Sequence, residues 1–154
     1  QDVAGVYETA EIKEPQSSAT YYSTTWVLDL AESGTFTLKE NKLRKFREGK
    51  THEPVPMNGS EVSGKWELDR DSVVCNWSEF YVLPTDLDEA PPSPGYRGGE
   101  FYYGLTFDLQ NTGDIISQSV RGGVTTSGEL GFGVVVGRES LLGEIAKLRF
   151  KRVE

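Results

Sequence analysis

Alternation of apolar and polar residues, repeated in segment after segment, decides what this chain can fold into. In "EFYYGLTFDLQ", Phe101, Tyr103, Leu105, Phe107 and Leu109 alternate with Tyr102, Gly104, Thr106, Asp108 and Gln110. Successive side chains of a β-strand point to opposite faces, so this run reads as a strand with one buried face. "YYSTTWVLDL" puts Tyr22, Trp26, Leu28 and Leu30 on one face, and Ser23, Thr25 and Asp29 on the other. "AESG" is a turn, and "TFTLK" resumes with Phe36 and Leu38 facing inward, which makes a hairpin. "EVSGKWELD" groups Val62, Gly64, Trp66 and Leu68; "SVVCNW" groups Val73, Cys75 and Trp77. Further strands are predicted in "DIISQSV", "FGVVVG" and "GEIAKLRFKRV". The last sends Ala146, Leu148 and Phe150 one way and Ile145, Lys147, Arg149 and Lys151 the other.

About eight or nine strands joined by short turns predict an all-β fold, either an antiparallel up-and-down β-barrel or a sandwich. Trp26, Phe36, Trp66, Phe101, Tyr103, Phe107 and Phe150 are its predicted buried aromatics, each on the more apolar face of its strand. The length of 154 residues suits a single domain over residues 1–154. Two stretches resist a strand reading, residues 40–60 and the acidic, Pro-rich 83–99; both are expected at barrel mouths.

Charge narrows the partners. The net charge is −8, whereas a nucleic-acid partner needs a basic footprint, so none is expected. The charge is uneven. "KENKLRKFREGK", residues 39–50, carries six Lys or Arg against two Glu, a sum of +4, which leaves −12 for the other 142 residues. Lys42, Arg44, Lys45 and Arg47 are the centre of this segment and its candidate partner-binding residues, flanked by Lys39 and Lys50. Leu43 and Phe46, three apart, suggest a short helix in "NKLRKFREGK"; "SLLGEIA" is a second helix candidate.

Catalytic chemistry finds little to work with. His52 is the one histidine and sits in a polar, Pro-bounded loop, where it reads as solvated. Cys75, the one cysteine, lies on the apolar face of its strand and reads as a buried, inert thiol. One histidine and one cysteine are too few for a closed zinc site, and "PTDLDE" with Asp86, Asp88 and Glu89 lacks the rest of a calcium loop. No cofactor, no metal and no enzymatic activity are expected. No apolar run reaches the roughly 20 residues of a membrane-spanning helix. The first residue is Gln, which fits a mature chain after signal removal, in a secreted or periplasmic setting, or a trimmed one. "NGS" at Asn58 and "NWS" at Asn76 match the glycosylation acceptor pattern.

A glycine two residues before an aromatic occurs at Gly5–Tyr7, Gly34–Phe36 and Gly64–Trp66, at separations of 29 and 30 residues. The intervening segments do not resemble one another, so the echo reads as barrel-corner glycines beside core aromatics rather than as a repeat. "AGVY", "LDLAESGTFTLKEN", "VSGKWELD" and the closing "LRFKRV" together resemble the lipocalin-like barrels of bacterial secreted proteins. The resemblance implies an antiparallel barrel with a central cavity. It also implies that Tyr7 packs near a basic residue of the last strand, Arg149 or Arg152. The opening aromatic is Tyr where lipocalins have Trp, and a second lipocalin motif is absent.

Two functions follow. A noncatalytic binding module would hold a small apolar or aromatic ligand in a cavity lined by Tyr22, Trp26, Phe36, Trp66, Phe101 and Tyr103. In a small barrel the same rings can instead fill the interior. The alternative is a structural or accessory subunit of an extracellular assembly, with a protein partner held through residues 39–50 and exposed aromatics.

Overall fold

The computed structural model describes residues 2–47, 53–82, 98–118, 120–126, 129–132 and 145–153. At 80–82, 98–101, 122–126 and 129–132 it describes the backbone alone. Within these residues the chain forms β1 (Gly5–Thr9), β2 (Ile12–Pro15), β3 (Thr20–Leu30), β4 (Thr35–Phe46), β5 (Val55–Met57) and β6 (Glu61–Asp69). It continues with β7 (Ser72–Val82), β8 (Gly98–Leu109), β9 (Ile115–Ser117), β10 (Arg121–Thr126), β11 (Glu129–Phe132) and β12 (Arg149–Val153). Among the described residues there is no helix beyond a turn at residues 145–147.

Eight of these strands close into an antiparallel up-and-down barrel. The ring runs β1, β3, β4, β6, β7, β8, β9, β12 and back to β1, every neighbour antiparallel. Short turns close one end, at Ala31–Gly34, at Arg70–Asp71 and at Gln110–Gly113. Gly34 has φ +91° there, a conformation that glycine adopts without a Cβ penalty.

The other end is built differently. The β3–β4 ladder is unbroken from Thr20 opposite Phe46 to Leu30 opposite Phe36. The strands beside it are not. From Glu8 opposite Val27 to Ile12 opposite Thr24, four steps on the β1–β2 side face three on β3. From Glu61 opposite Lys39 to Met57 opposite Lys42, four steps on β5–β6 face three on β4. From Ser117 opposite Phe107 to Arg121 opposite Gly104, four steps on β9–β10 face three on β8. Each extra residue is a β-bulge, which bends its strand and increases the local twist. Beyond the bulges the sheet leaves the barrel as two lips. One is β2-β3-β4-β5 and the other is β7-β8-β10-β11. Strand direction puts both at the same end, where β4 and β7 end and β5 and β8 begin.

The closed half is filled. Tyr7, Trp26, Leu28, Leu30, Phe36 and Leu38 are at most 2 % exposed, and Val73, Cys75, Leu105, Phe107, Ile115 and Phe150 complete the core. Trp77 stacks on Tyr103 at 5.2 Å and meets Phe36 edge-on at 6.0 Å. Gly64 pairs with Phe36 in register, and a Cβ there would collide with the Asn76 carbonyl and lie 2.9 Å from the Trp77 Cβ. The three echoed glycines therefore do three different jobs: Gly34 makes a turn, Gly64 admits Trp77, and Gly5 lies under the Arg152 guanidinium. That guanidinium sits 5.8 Å from the Tyr7 ring centroid and donates to the carbonyls of Asp2 at 2.9 Å and Ala4 at 2.5 Å. Tyr7 in turn donates to the Val3 carbonyl at 2.7 Å.

Three sequence expectations are corrected. The helix predicted from Leu43 and Phe46 is strand: β4 continues to Phe46, where β5 and β3 pair with it. The stretch 40–60 is likewise mostly strand over its described residues, at 40–46 and 55–57. Ile145, assigned to the outer face, is fully buried, because residues 145–147 form a turn before β12 begins and interrupt the alternation. Lys147 has φ +64° in that turn. The remaining helix candidate up to residue 144 and most of "FGVVVG" lie outside the described residues, as do His52 and residues 83–97 of the acidic stretch.

The ring closes where β9 meets β12, with Ile116 opposite Arg149 and Ile115 opposite Phe150. Ser117, fully buried, holds this seam. Its amide donates to the Leu148 carbonyl at 2.9 Å, its hydroxyl donates to the Ile145 carbonyl, and the Leu148 amide donates to that hydroxyl at 3.0 Å. Removing the hydroxyl leaves a buried carbonyl and a part-buried amide short of a partner. Ser117→Ala is therefore expected to lose about 1–3 kcal/mol, measured by urea denaturation; an unchanged midpoint would show that the seam closes without it.

Candidate functional site

Parity along β4 sorts the basic segment. Phe36 and Leu38 face the core, so Glu40, Lys42, Arg44 and Phe46 share the inward face of the sheet. Lys39, Asn41, Leu43 and Lys45 share the outward one. Arg47 follows Phe46, and its amide donates to the Ala19 carbonyl at 2.9 Å. The four predicted partner-binding residues thus split into Lys42 and Arg44 inside and Lys45 and Arg47 outside.

On the inward face of the lip, Lys42 stands opposite Thr24 and Met57, and Arg44 opposite Tyr22 and Val55. The Lys42 ammonium lies 4.7 Å from the Tyr22 ring centroid, a cation–π contact. Two carboxylates share this face. Glu40 is buried, and its carboxylate accepts the Ser60 amide at 3.1 Å. Glu14 is exposed on β2, opposite Tyr22. The Arg44 Nε is buried and has no hydrogen-bond partner among the described residues, and the same holds for the Trp77 Nε1. A buried donor left unpaired is costly, so each marks a place where a partner is wanted.

On the outward face, Tyr21 lies between two cations, Lys13 at 5.6 Å and Arg47 at 5.9 Å from its ring centroid. Beside it Lys45 donates to Glu11 at 2.9 Å, and the buried Ser23 hydroxyl donates to the same carboxylate oxygen. The Ser23 bond and then the Lys45 ammonium hold the Glu11 carboxyl below its usual range, and Glu11 raises Lys45 in return. A depressed carboxyl stabilises the fold above its unfolded value, and that contribution is lost as pH falls through the folded value.

The predicted ligand-lining residues part company. Tyr22 belongs to the β3–β4 lip and Phe101, by backbone register, to the other. Trp26, Phe36 and Tyr103 are core side chains. Trp66 is half-buried at the closed end, where its indole donates to the Ala31 carbonyl at 2.8 Å and ties down the β3–β4 turn. It also borders a shallow depression of about 380 Å³ formed with Ser33, Gly34, Thr35, Lys65, Glu67 and Asn76. Phe101 is placed by register opposite Glu79 and Val124; its side chain lies outside the described residues. Tyr21, Lys13, Glu11 and Trp77 were not singled out as site residues from sequence. Tyr21 could have been found as the odd-parity neighbour of Tyr22, opposite Lys45 in any in-register hairpin.

Burial pushes the Cys75 thiol up to about 12, so it stays neutral and unreactive at physiological pH. Among the described residues, no three His, Cys, Asp or Glu side chains gather in a metal-binding arrangement, and no helix is long and apolar enough to cross a membrane. Against family models, curated proteins and solved structures the chain has no match in any of the three comparisons.

Two outcomes are expected. In an NMR pH titration, Glu11 should titrate below an ordinary glutamate. Ser23→Ala and Lys45→Gln should each raise its midpoint, and absent shifts would contradict the assigned causes. A thiol reagent such as 5,5′-dithiobis(2-nitrobenzoate) should leave native Cys75 unmodified and modify it fully in denaturant; rapid native labelling would show that the strand is not packed as described.

Proposed function

We propose that this chain is a noncatalytic binding module that takes a small ligand between its two lips, not in the barrel centre. The observation that carries this reading is the contrast between the two halves. The closed half is packed with side chains, whereas the lip face carries Lys42, Arg44 and Tyr22 and a buried Arg44 donor without a partner among the described residues. Ligand sites combine apolar lining with a few polar groups that fix orientation, and the open rim offers that mixture. The lipocalin-like resemblance and a secreted or periplasmic setting accord with this reading and rest on the sequence alone.

A second reading has its own observation. The outward face of the same lip gathers Lys13, Lys45 and Arg47 around Tyr21, and Tyr102 is 46 % exposed on β8. Aromatic and cationic side chains of this kind are frequent at protein interfaces, so an acidic protein partner suits this face. Native mass spectrometry of the chain purified from its natural source separates the two. A mass increment of small-molecule size supports the module; co-purification of a stoichiometric protein supports the accessory subunit. A bare chain that also shows no thermal shift with a panel of apolar and aromatic compounds would reject the binding module.

A further inference from the structure

We infer that the inward face of the β3–β4 lip selects ligands with an anionic head, a carboxylate or sulfonate on a ring-bearing or apolar body. The inference rests on the binding reading above and specifies its chemistry. Lys42 and Arg44 are two residues apart on an unbroken strand ladder, so both side chains leave the sheet on one face. Adjacent like charges on one face repel, and a sheet tolerates them best when an anion lies between. The carboxylates at hand do not fill that role. Glu40 is turned to the Ser60 amide, and no ion pair joins Lys42 or Arg44 to Glu14 or Glu40 among the described residues. The outward cation Lys45 differs, because it is already paired with Glu11.

Arg44 is the more demanding of the two. Its Nε is buried, so water does not serve it, and it lacks an acceptor among the described residues. A guanidinium presents its donors in a planar fork that a carboxylate or sulfonate matches with two oxygens. Lys42, held over Tyr22, adds a point charge beside the fork. Tyr22, Val55 and Met57 stand across from these cations and supply aromatic and apolar surface for the body of the ligand. The Trp77 Nε1, a second buried donor unpaired among the described residues, belongs to the packed half, two strands away in β7 with its ring against Phe36.

Paired fluorescent probes test the idea on the full chain. 8-Anilinonaphthalene-1-sulfonate carries the anionic head; N-phenyl-1-naphthylamine has a similar body without it. The sulfonate should bind, and added salt should weaken it while leaving the neutral probe unaffected. Lys42→Gln with Arg44→Gln should weaken the sulfonate about tenfold or more. The neutral probe should hold its affinity. Lys45→Gln with Arg47→Gln, on the outward face, should change neither. Equal loss in the inward and outward variants, or salt-independent sulfonate binding by the wild-type chain, would overturn the inference. Neutral-probe binding with no preference for the sulfonate would also overturn it while leaving the binding module standing. If neither probe binds, both readings fail. The salt titration uses the unsubstituted chain, so the inference stays exposed even if the double variant does not fold.

Discussion

Closure of the ring at β9 and β12 is the constraint on which the rest depends. A sheet that does not close leaves two edges of unpaired backbone, and only a barrel removes them. Here the closing seam is the shortest in the ring, and β12 also pairs with β1 on its other side. Ser117 compensates by bonding the chain just before β12 through both backbone and side chain. Arg152 does similar work beyond it, bonding the carbonyls of Asp2 and Ala4 and covering Tyr7. With both ends of the chain held in this way, the β-meander between them has a fixed circumference, and its core aromatics have a fixed volume to fill.

That volume explains why the strands outgrow the barrel. Trp26, Phe36, Trp77, Tyr103, Phe107 and Phe150 occupy the interior of the closed half, as side chains do in small eight-stranded barrels. Strand length beyond that level cannot add to the same core. The three bulges, each four residues against three, bend the flanking strands away where the filling stops. Their local chemistry is specific. The Thr9 hydroxyl accepts the Trp26 amide at 3.0 Å where the first bulge disturbs the ladder, and Ser60 and Glu40 exchange hydrogen bonds at the second. The buried Glu40 is thus a consequence of the bulge as much as a feature of the lip.

The sequence made the ring legible and the lips only partly so. Tyr103 to Leu109, Trp26 to Leu30 and Val73 to Trp77 alternate cleanly because one side of each strand meets core. Past the barrel that difference fades, and so does the pattern. Lys42 and Arg44 look like surface residues in a list of charges, and Leu43 with Phe46 suggests a helix because short charged runs fit either period. Once β4 is known to continue, the parity set by Phe36 and Leu38 assigns every residue to Phe46 without further information. Ile145 shows the opposite failure: an alternation extended backwards from Phe150 crosses a turn that composition does not announce. Tyr22 and Arg44 were both picked out from sequence, but for different roles, since only the register places them opposite one another.

The placement of charge on this lip answers a problem that a bulged barrel rim creates. Below the rim, burial is complete and polar groups are expensive; above it, water competes with every hydrogen bond. A side chain rooted at the boundary can bury its stem and part of its polar head while keeping the rest near water. Lys42 and Arg44 stand at that level, one turned over Tyr22 and the other with its Nε enclosed. An unpaired guanidinium nitrogen costs the folded chain stability that an apolar residue at the same place would not. Such a residue at the rim, two positions from a second cation, fits a site shaped for an anion better than one shaped for packing. Lys45, one residue on and across the sheet, has its own carboxylate in Glu11, so a cation on this strand can find an internal partner. The inward pair differs in that neither cation has a carboxylate partner among the described residues.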